Sequence, residues 1–439
     1  MFLKLYDPSG HSERSRTMKL EDLKKYKKIL ILGYGKEGQA SERFLKKYHP
    51  AALIGIADQK TDPNYLDEQK KYDLIIRSPG VPKHLITKPY TTATNIFFGN
   101  CQGQTIGVTG SKGKSTTVSL IYSILKTSGK TVHLIGNIGW PMLDSLLKET
   151  GQEDIFVCEL SSYQLDDINY SPHISVITNL FPEHMNYHGS VKNYYNAKKN
   201  IIARAAANDY FIYNPKFGQL KSWAKDSICR TIPFEQKILI KNEDIPLIGE
   251  HNRENIKAAV TVAHLLNINN DTIVEAIKKF TPLPHRLQMV GKFKEIIFYD
   301  DAISTTPQST ILAIESLEDV GTIFLGGEDR GYDFNKMVDV IIDYKIPNIV
   351  LFPDSGNTIL RIIKLKKIKE LRLFYTKSME EAVKFAYQYT PKGKVCLLSN
   401  ASPSYSLWKN FEEKGDLFQF FVKKYQRLSV SGRFNNTVS

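Results

Sequence analysis

The sequence predicts an α/β protein of three domains, each built on a mainly parallel sheet. Three observations predict it. Apolar runs of four to six residues recur along the 439 residues and end in Gly, Ser or Asp, as buried parallel strands do. Amphipathic stretches lie between them; Val118, Ile121, Tyr122 and Leu125 fall at i, i+3, i+4 and i+7, one face of a helix. The alternation restarts after TTATNIFFGNCQGQ (91–104) and again after TPLPHR (281–286). Domains are therefore expected at 1–98, 99–283 and 284–439.

In the first domain, KILILG (28–33) reads as a strand leading into Gly33-Tyr34-Gly35-Lys36-Glu37-Gly38 and then the helix QASERFLKKY. Asp58 closes the next strand, ALIGIAD, about twenty residues on, which is a Rossmann-type arrangement for a phosphate-bearing ligand. LIIRSPG (74–80) ends in Ser78-Pro79-Gly80-Val81 at the carboxyl edge of the same sheet, where open α/β sheets bind ligands.

The second domain opens on TIGVTGSKGKSTT (105–117), a strand, a glycine loop and a helix. Gly110, Ser111, Lys112 and Gly113 let backbone N–H groups curl around phosphate oxygens, and the helix N-terminus adds its positive end. Lys114 supplies a mobile charge for the β- and γ-phosphates, and Ser115 or Thr116 a hydroxyl for Mg²⁺. Val108 stands where the usual pattern has its first glycine, so this is a variant P-loop beginning at Gly110. The strand IFVCEL (155–160) places Glu159 at its end, and ISVITNL (174–180) leads to His184. A carboxylate and an imidazole at the P-loop edge suit a hard cation bridging ATP phosphates. Lys198, in YYNAKKN, reads from local sequence alone as an exposed lysine.

The third domain runs through IIFYDD (296–301), TIFLGG (322–327), NIVLF (348–352) and VCLLS (395–399). Arg330 follows the Gly326-Gly327 turn, and Asn400 to Ser406 precede the helix LWKNFEEKGDLF. Hydroxyls at a helix start beside an arginine suit a carboxylate ligand.

Composition excludes several classes. With 42% hydrophobic and 24% charged residues the chain has an ordinary globular balance. No run approaches the ~18–20 apolar residues of a membrane span. The segment MFLKLYDPSGHSERSR carries no apolar run, so no secretory signal is expected. Cys101, Cys158, Cys229 and Cys396 are scattered without a CxxC pair, which fits a reducing cytosol. Lys and Arg number 59 against 46 Asp and Glu, a net charge of +13. That charge suits solvated faces and polyanionic ligands such as nucleotides. No RNP-like motif or zinc finger accompanies it, so neither nucleic acid nor membrane is an expected partner.

Read together, these motifs resemble the ATP-dependent Mur ligases of peptidoglycan synthesis over essentially the whole chain. The matching segments are SPGVP, TGSKGKSTT, GNIGWP, ELSSYQL, NLFPEHMNYHG, YYNAKK, GEHNRENIKAA, LPHRLQ, DDAISTTPQST, LGGEDRGYDF and LLSNASPSYSLWKNFEEKGDLF. The last two are most similar to the D-glutamate-adding branch. The resemblance implies Rossmann-like outer domains around a central P-loop ATPase-like domain. It implies ATP and Mg²⁺ as cofactors, UDP-MurNAc-L-alanine and D-glutamate as substrates, and a monomeric cytoplasmic enzyme.

By the same resemblance, Lys114, Asn137, His184 and Lys198 are catalytic. Gly110, Ser111, Lys112, Gly113, Lys114, Ser115 and Thr116 hold the ATP phosphates, with Asn255, Arg286 and Asp301 around the rest of ATP. Gly33, Gly35, Asp58, Ser78, Gly80 and Asn137 hold the UDP substrate, and Thr305, Arg330, Ser404 and Phe411 the amino acid. Ser115, Thr116, Glu159, His184 and a carbamylated Lys198 are the metal ligands, Lys199 being the alternative lysine. Two positions depart from the family pattern. Ile303 stands where many members carry a lysine, and Arg330 replaces a more usual lysine; D- and L-glutamate both stay open as the acceptor.

Overall fold

The computed structural model describes residues 18–235, 237–238, 240–317, 319–366, 371–428 and 437–438. The chain divides into two compact units, residues 1–244 with 254–280 and residues 245–253 with 281–439.

The first unit holds two sheets. One has the order β2-β1-β3-β4, from β1 (Lys28–Leu32), β2 (Leu53–Ala57), β3 (Leu74–Arg77) and β4 (Tyr90–Thr91), all parallel. The other has the order β10-β9-β8-β5-β7-β6 and is also parallel. Its strands are β5 (Gln104–Thr109), β6 (Val132–Gly136), β7 (Ile155–Glu159), β8 (Ile174–Ile177), β9 (Tyr210–Tyr213) and β10 (Arg230–Pro233). Strands β3, β7 and β8 are buried at every residue, which explains their unbroken apolar runs. One apolar core runs from Ile29, Phe44 and Phe97 to Phe156, Leu160 and Ile177, so both sheets share a unit. The expected edge at 98/99 falls inside the helix Ala93–Asn100, whose Phe97 packs edge-on against Phe156.

The second unit holds a sheet of order β11-β12-β16-β13-β14-β15-β17. Its strands are β11 (Gln288–Phe293), β12 (Ile296–Asp300), β13 (Val320–Gly326), β14 (Asn348–Phe352), β15 (Arg372–Tyr375), β16 (Val395–Leu398) and β17 (Thr437–Val438). The five inner strands are parallel and the two edge strands antiparallel. Helices on its two faces bury separate cores, one around Met337, Ile341 and Ile359 and one around Phe385, Phe418 and Val422. Among the described residues, no helix is long and apolar enough to cross a membrane.

Candidate active site

The glycine loop at 110–113 joins β5 to the helix Lys114–Thr127. Gly113 caps that helix at φ 80°, in the left-handed region, and a Cβ on it would lie 2.2 Å from Asn255 Oδ1. Only glycine brings the loop this close to Asn255, which also accepts from Thr117 Oγ1 at 3.3 Å. The loop is braced from the strand beside it. Lys112 N–H donates to Asn179 Oδ1 (2.8 Å), and its carbonyl accepts from Thr178 Oγ1 (2.7 Å) and Asn179 Nδ2 (3.0 Å). Ser111 Oγ donates to the Phe181 carbonyl and accepts from Tyr194 Oη. Lys112 Nζ pairs with Glu183 at 2.5 Å. Lys114 Nζ curls back onto the loop, donating to the carbonyls of Gly110 (2.9 Å) and Ser111 (3.0 Å).

Three more predicted residues converge on this loop. Glu159, at the end of β7, is 1% exposed; its Oε1 accepts from Asn137 Nδ2 at 2.9 Å, and its Oε2 is buried without a hydrogen-bond partner. Thr116 Oγ1 is likewise buried and unpartnered. Lys198 is also 1% exposed, which corrects its local reading as a surface lysine. Its Nζ donates to the Gly110 carbonyl at 2.8 Å and lies 4.8 Å from the Tyr194 ring centroid. Burial, and then the charge of Lys114, push its ammonium well below the ordinary lysine range. Lys199 instead lies 5.9 Å from the ring of Trp223. His184 caps the short helix Met185–His188 from the left-handed region, its ring tilted against that of Tyr163 with centroids 5.1 Å apart. Burial pushes its imidazole down to about 4, helped by Lys114, Lys198 and Lys112 and opposed by Glu183, so the ring is neutral at pH 7. Ser115 sits partly exposed at the helix start.

At the carboxyl edge of the first sheet, Gly33, Gly35, Ser78 and Gly80 form two adjoining turns. Ser78 Oγ donates to the Gly33 carbonyl at 2.6 Å. Asp58 braces this turn, accepting from the N–H groups of Tyr34 (2.5 Å) and Lys60 (2.9 Å), which hold its carboxyl below the usual range. Sequence reasoning missed a buried network behind these turns. Arg77 pairs with Asp167 at 2.8 Å, both essentially unexposed, and Gln164 Nε2 donates to Glu37 Oε1 at 2.5 Å. Arg77 closes an apolar strand, and only that unusual position signalled it.

Asp301, Thr305, Arg330 and Ser404 lie in the second unit, on loops after β12, β13 and β16, which are neighbours in the sheet, and Arg286 lies partly exposed just before β11. Asp301 accepts from Ser399 Oγ (2.8 Å) and the Leu287 N–H (3.2 Å). Burial raises its carboxyl to about 7 against those hydrogen bonds and the nearby Arg286 charge. Thr305 is partly exposed after β12. Arg330 pairs with Glu328 at 2.8 Å and lies 5.9 Å from the Tyr405 ring. Ser404 is 2% exposed, with Oγ buried and unpartnered. Phe411 begins the helix Phe411–Tyr425, its ring 6.1 Å from that of His285.

Among the described residues, no group of three or more His, Cys, Asp or Glu is placed to hold a metal. A cation at the glycine loop would instead use the unpartnered oxygens of Glu159 and Thr116, with the neutral ring of His184. Few protein ligands of this kind suit Mg²⁺, which completes its shell with phosphate and water.

Residues 108–244 match the family described as the Mur ligase middle domain. The chain is 32% identical to the UDP-N-acetylmuramoylalanine–D-glutamate ligase of Streptococcus agalactiae serotype III (strain NEM316), over 89% of this chain and 96% of the relative. The enzyme of the same name from Streptococcus pyogenes serotype M4 (strain MGAS10750) matches equally, at 32% over the same shares. Among solved structures, the MurF ligase of Thermotoga maritima in complex with ADP has a TM-score of 0.61 at 17% identity, covering 90% of this chain and 95% of that one. The UDP-N-acetylmuramate-alanine ligase MurC of Thermotoga maritima has a TM-score of 0.56 at 18% identity, covering 92% and 100%. The two structures share the fold.

Proposed function

The chain belongs to the Mur ligase family of ATP-dependent ligases, and we propose that it joins D-glutamate to UDP-N-acetylmuramoyl-L-alanine in the cytoplasm. The observation that carries this reading is that Lys114 and Lys198 both donate to one glycine loop, with Glu159, held by Asn137, near enough to act on the Lys198 charge. The substrate carboxylate attacks the γ-phosphorus of ATP, giving an acyl phosphate and ADP. The amine of glutamate then attacks the acyl carbon, and phosphate leaves from the tetrahedral intermediate.

In this reading the protein works by placing charge. The loop N–H groups and the helix N-terminus hold the phosphates. Lys114 exchanges its loop carbonyls for the transferred phosphoryl group, offsetting charge as it develops. Asn137 bridges Glu159 and the acyl-phosphate position. Burial favours the neutral amine of Lys198, the form that adds to CO₂, forming an N–C bond and releasing a proton, so that a nitrogen side chain becomes an oxygen ligand. Glu159, Thr116 or Ser115, His184 and the carbamate would hold Mg²⁺. When bound, Mg²⁺ neutralises negative charge on the phosphate oxygens. Gly33, Gly35, Ser78 and Gly80 face the uridine diphosphate, with Asp58 bracing their turn. Asn255, Arg286 and Asp301 serve ATP, and Thr305, Arg330, Ser404 and Phe411 the amino acid.

The test is phosphate release from ATP with UDP-MurNAc-L-alanine across a panel of D- and L-amino acids. D-glutamate should be the preferred acceptor. Release that requires L-glutamate, or none with any acceptor, overturns the assignment.

A further inference from the structure

The network behind the first glycine loop carries an unbalanced charge. Glu37 is the second residue of the helix Lys36–Tyr48, directly after that loop. Its Oε1 accepts from Gln164 Nε2 at 2.5 Å, and its Oε2 is buried without a partner. Gln164 cannot turn away. It is 2% exposed, and its Oε1 already accepts from the Ser161 N–H and Oγ, both at 2.9 Å.

Among the described residues, the cation that acts on Glu37 is Arg77, whose Nε is buried without a hydrogen-bond partner while its two terminal nitrogens are engaged elsewhere. It donates to Asp167 Oδ2 (2.8 Å) and to the Val81 carbonyl (2.5 Å) and approaches Tyr187 Oη (3.4 Å). One buried guanidinium therefore serves two carboxylates. The other elements packed on this helix leave the imbalance in place. Asp144, from the helix Met142–Ser145, is held by Arg43 at 2.7 Å. The helix Ala93–Asn100 contributes no charged side chain, and Lys28 stands exposed at the start of β1. On the helix itself Lys36 is exposed, and Glu42 pairs with Lys46 at 2.8 Å.

Burial, opposed by the Gln164 hydrogen bond and by Arg77, raises the Glu37 carboxyl to about 7. The helix N-terminus that steadies an anion at Glu37 is also the feature that attracts phosphate, so the two anions compete for it. We propose that Glu37 ties occupancy of this loop to a proton: a nucleoside diphosphate binds with Glu37 in its neutral, protonated form. The inference rests on placing the UDP substrate at this loop. The sign follows from the added negative charge. Bound diphosphate raises the proton affinity of Glu37, so binding takes up a proton above pH 7 and weakens as pH rises.

The experiment is calorimetric titration of the full chain with UDP-MurNAc-L-alanine, whose diphosphate ester does not titrate near neutrality. Two buffers of different ionisation enthalpy at pH 8 report the protons exchanged. The wild type should take up a proton, and its Kd should rise by as much as about 25-fold between pH 6.5 and 8.5, the limit for a group titrating near 7. Glu37→Gln should bind without that uptake and with a flat pH profile. Wild-type binding with no buffer-dependent heat, or with the same pH profile as Glu37→Gln, overturns the inference while leaving the substrate reading intact. Absence of binding at every pH overturns both.

Discussion

Gly113→Ala probes the phosphate loop where its geometry is tightest. Two costs can be worked from the structure. At φ 80° an L-residue is held left-handed, which costs about 1–2 kcal/mol. The new Cβ would also lie 2.2 Å from Asn255 Oδ1, and overpacking of that kind costs about 1–3 kcal/mol. Relief requires Asn255 to move, and Asn255 is 3% exposed and hydrogen-bonded to Thr117. The displaced residue is one assigned to ATP, so the clash should appear in nucleotide binding. A loss of about 2–3 kcal/mol raises the KM for ATP roughly thirty- to 150-fold. Gly129→Ala is the control. Gly129 has φ 81° but nothing within 4 Å of a Cβ, so it carries the conformational cost without the clash. Steady-state phosphate release gives the KM, and urea unfolding gives the stability of both variants. If Gly113→Ala keeps the wild-type KM for ATP and unfolds with Gly129→Ala, the contact between the loop and Asn255 has no functional weight.

Three further outcomes are expected. Lys198→Ala should be nearly inactive and partly restored by acetate, which can supply the missing oxygen ligand, while Lys199→Ala should keep most activity; the reverse pattern in an acetate titration moves the site to Lys199. Arg330→Ala should raise the KM for glutamate about ten- to a hundred-fold, for a charged hydrogen bond worth roughly 1.5–3 kcal/mol, with little change for ATP; equal effects on both substrates would place Arg330 outside the amino-acid pocket. Asp167→Asn leaves Arg77 buried without its carboxylate and should cost about 3–5 kcal/mol in urea unfolding, whereas an unchanged midpoint would mean that Arg77 is already compensated.

Most strands legible in the sequence are buried on both faces; ALIGIAD, also legible, is the largely exposed edge strand β2. KILILG, LIIRSPG, TIGVTG, IFVCEL, ISVITNL, IIFYDD, TIFLGG, NIVLF and VCLLS all overlap observed strands. Such strands need apolar residues without alternation, so a short run suffices to mark them. The strands not marked in advance include edges. β6, β10 and β11 have few fully buried residues, and their mixed composition reads as loop or helix. The glycine loops were legible because their backbone geometry demands particular residue types. Arg77, Asp167, Glu37 and Gln164 were not, because pairing across 90 and 127 positions leaves no local pattern.

Lys198 lies between these cases, and its helix explains why. Helices bury residues at i, i+3, i+4 and i+7. Tyr194, Ala197, Lys198 and Ile201 occupy that series, and all four are buried. The face was present in the sequence, but a lysine on it looks like an interruption of the apolar stripe. A buried lysine is tolerated only where its charge is removed or paired. Here no carboxylate hydrogen-bonds to its Nζ among the described residues, which meets the Gly110 carbonyl and, at 3.4 Å, Thr109 Oγ1, with Lys114 adding repulsion. Neutralisation is therefore the route the fold favours, and a neutral amine beside a phosphate loop is reactive rather than structural. The residue that periodicity places in the core is thus the one whose chemistry the core changes.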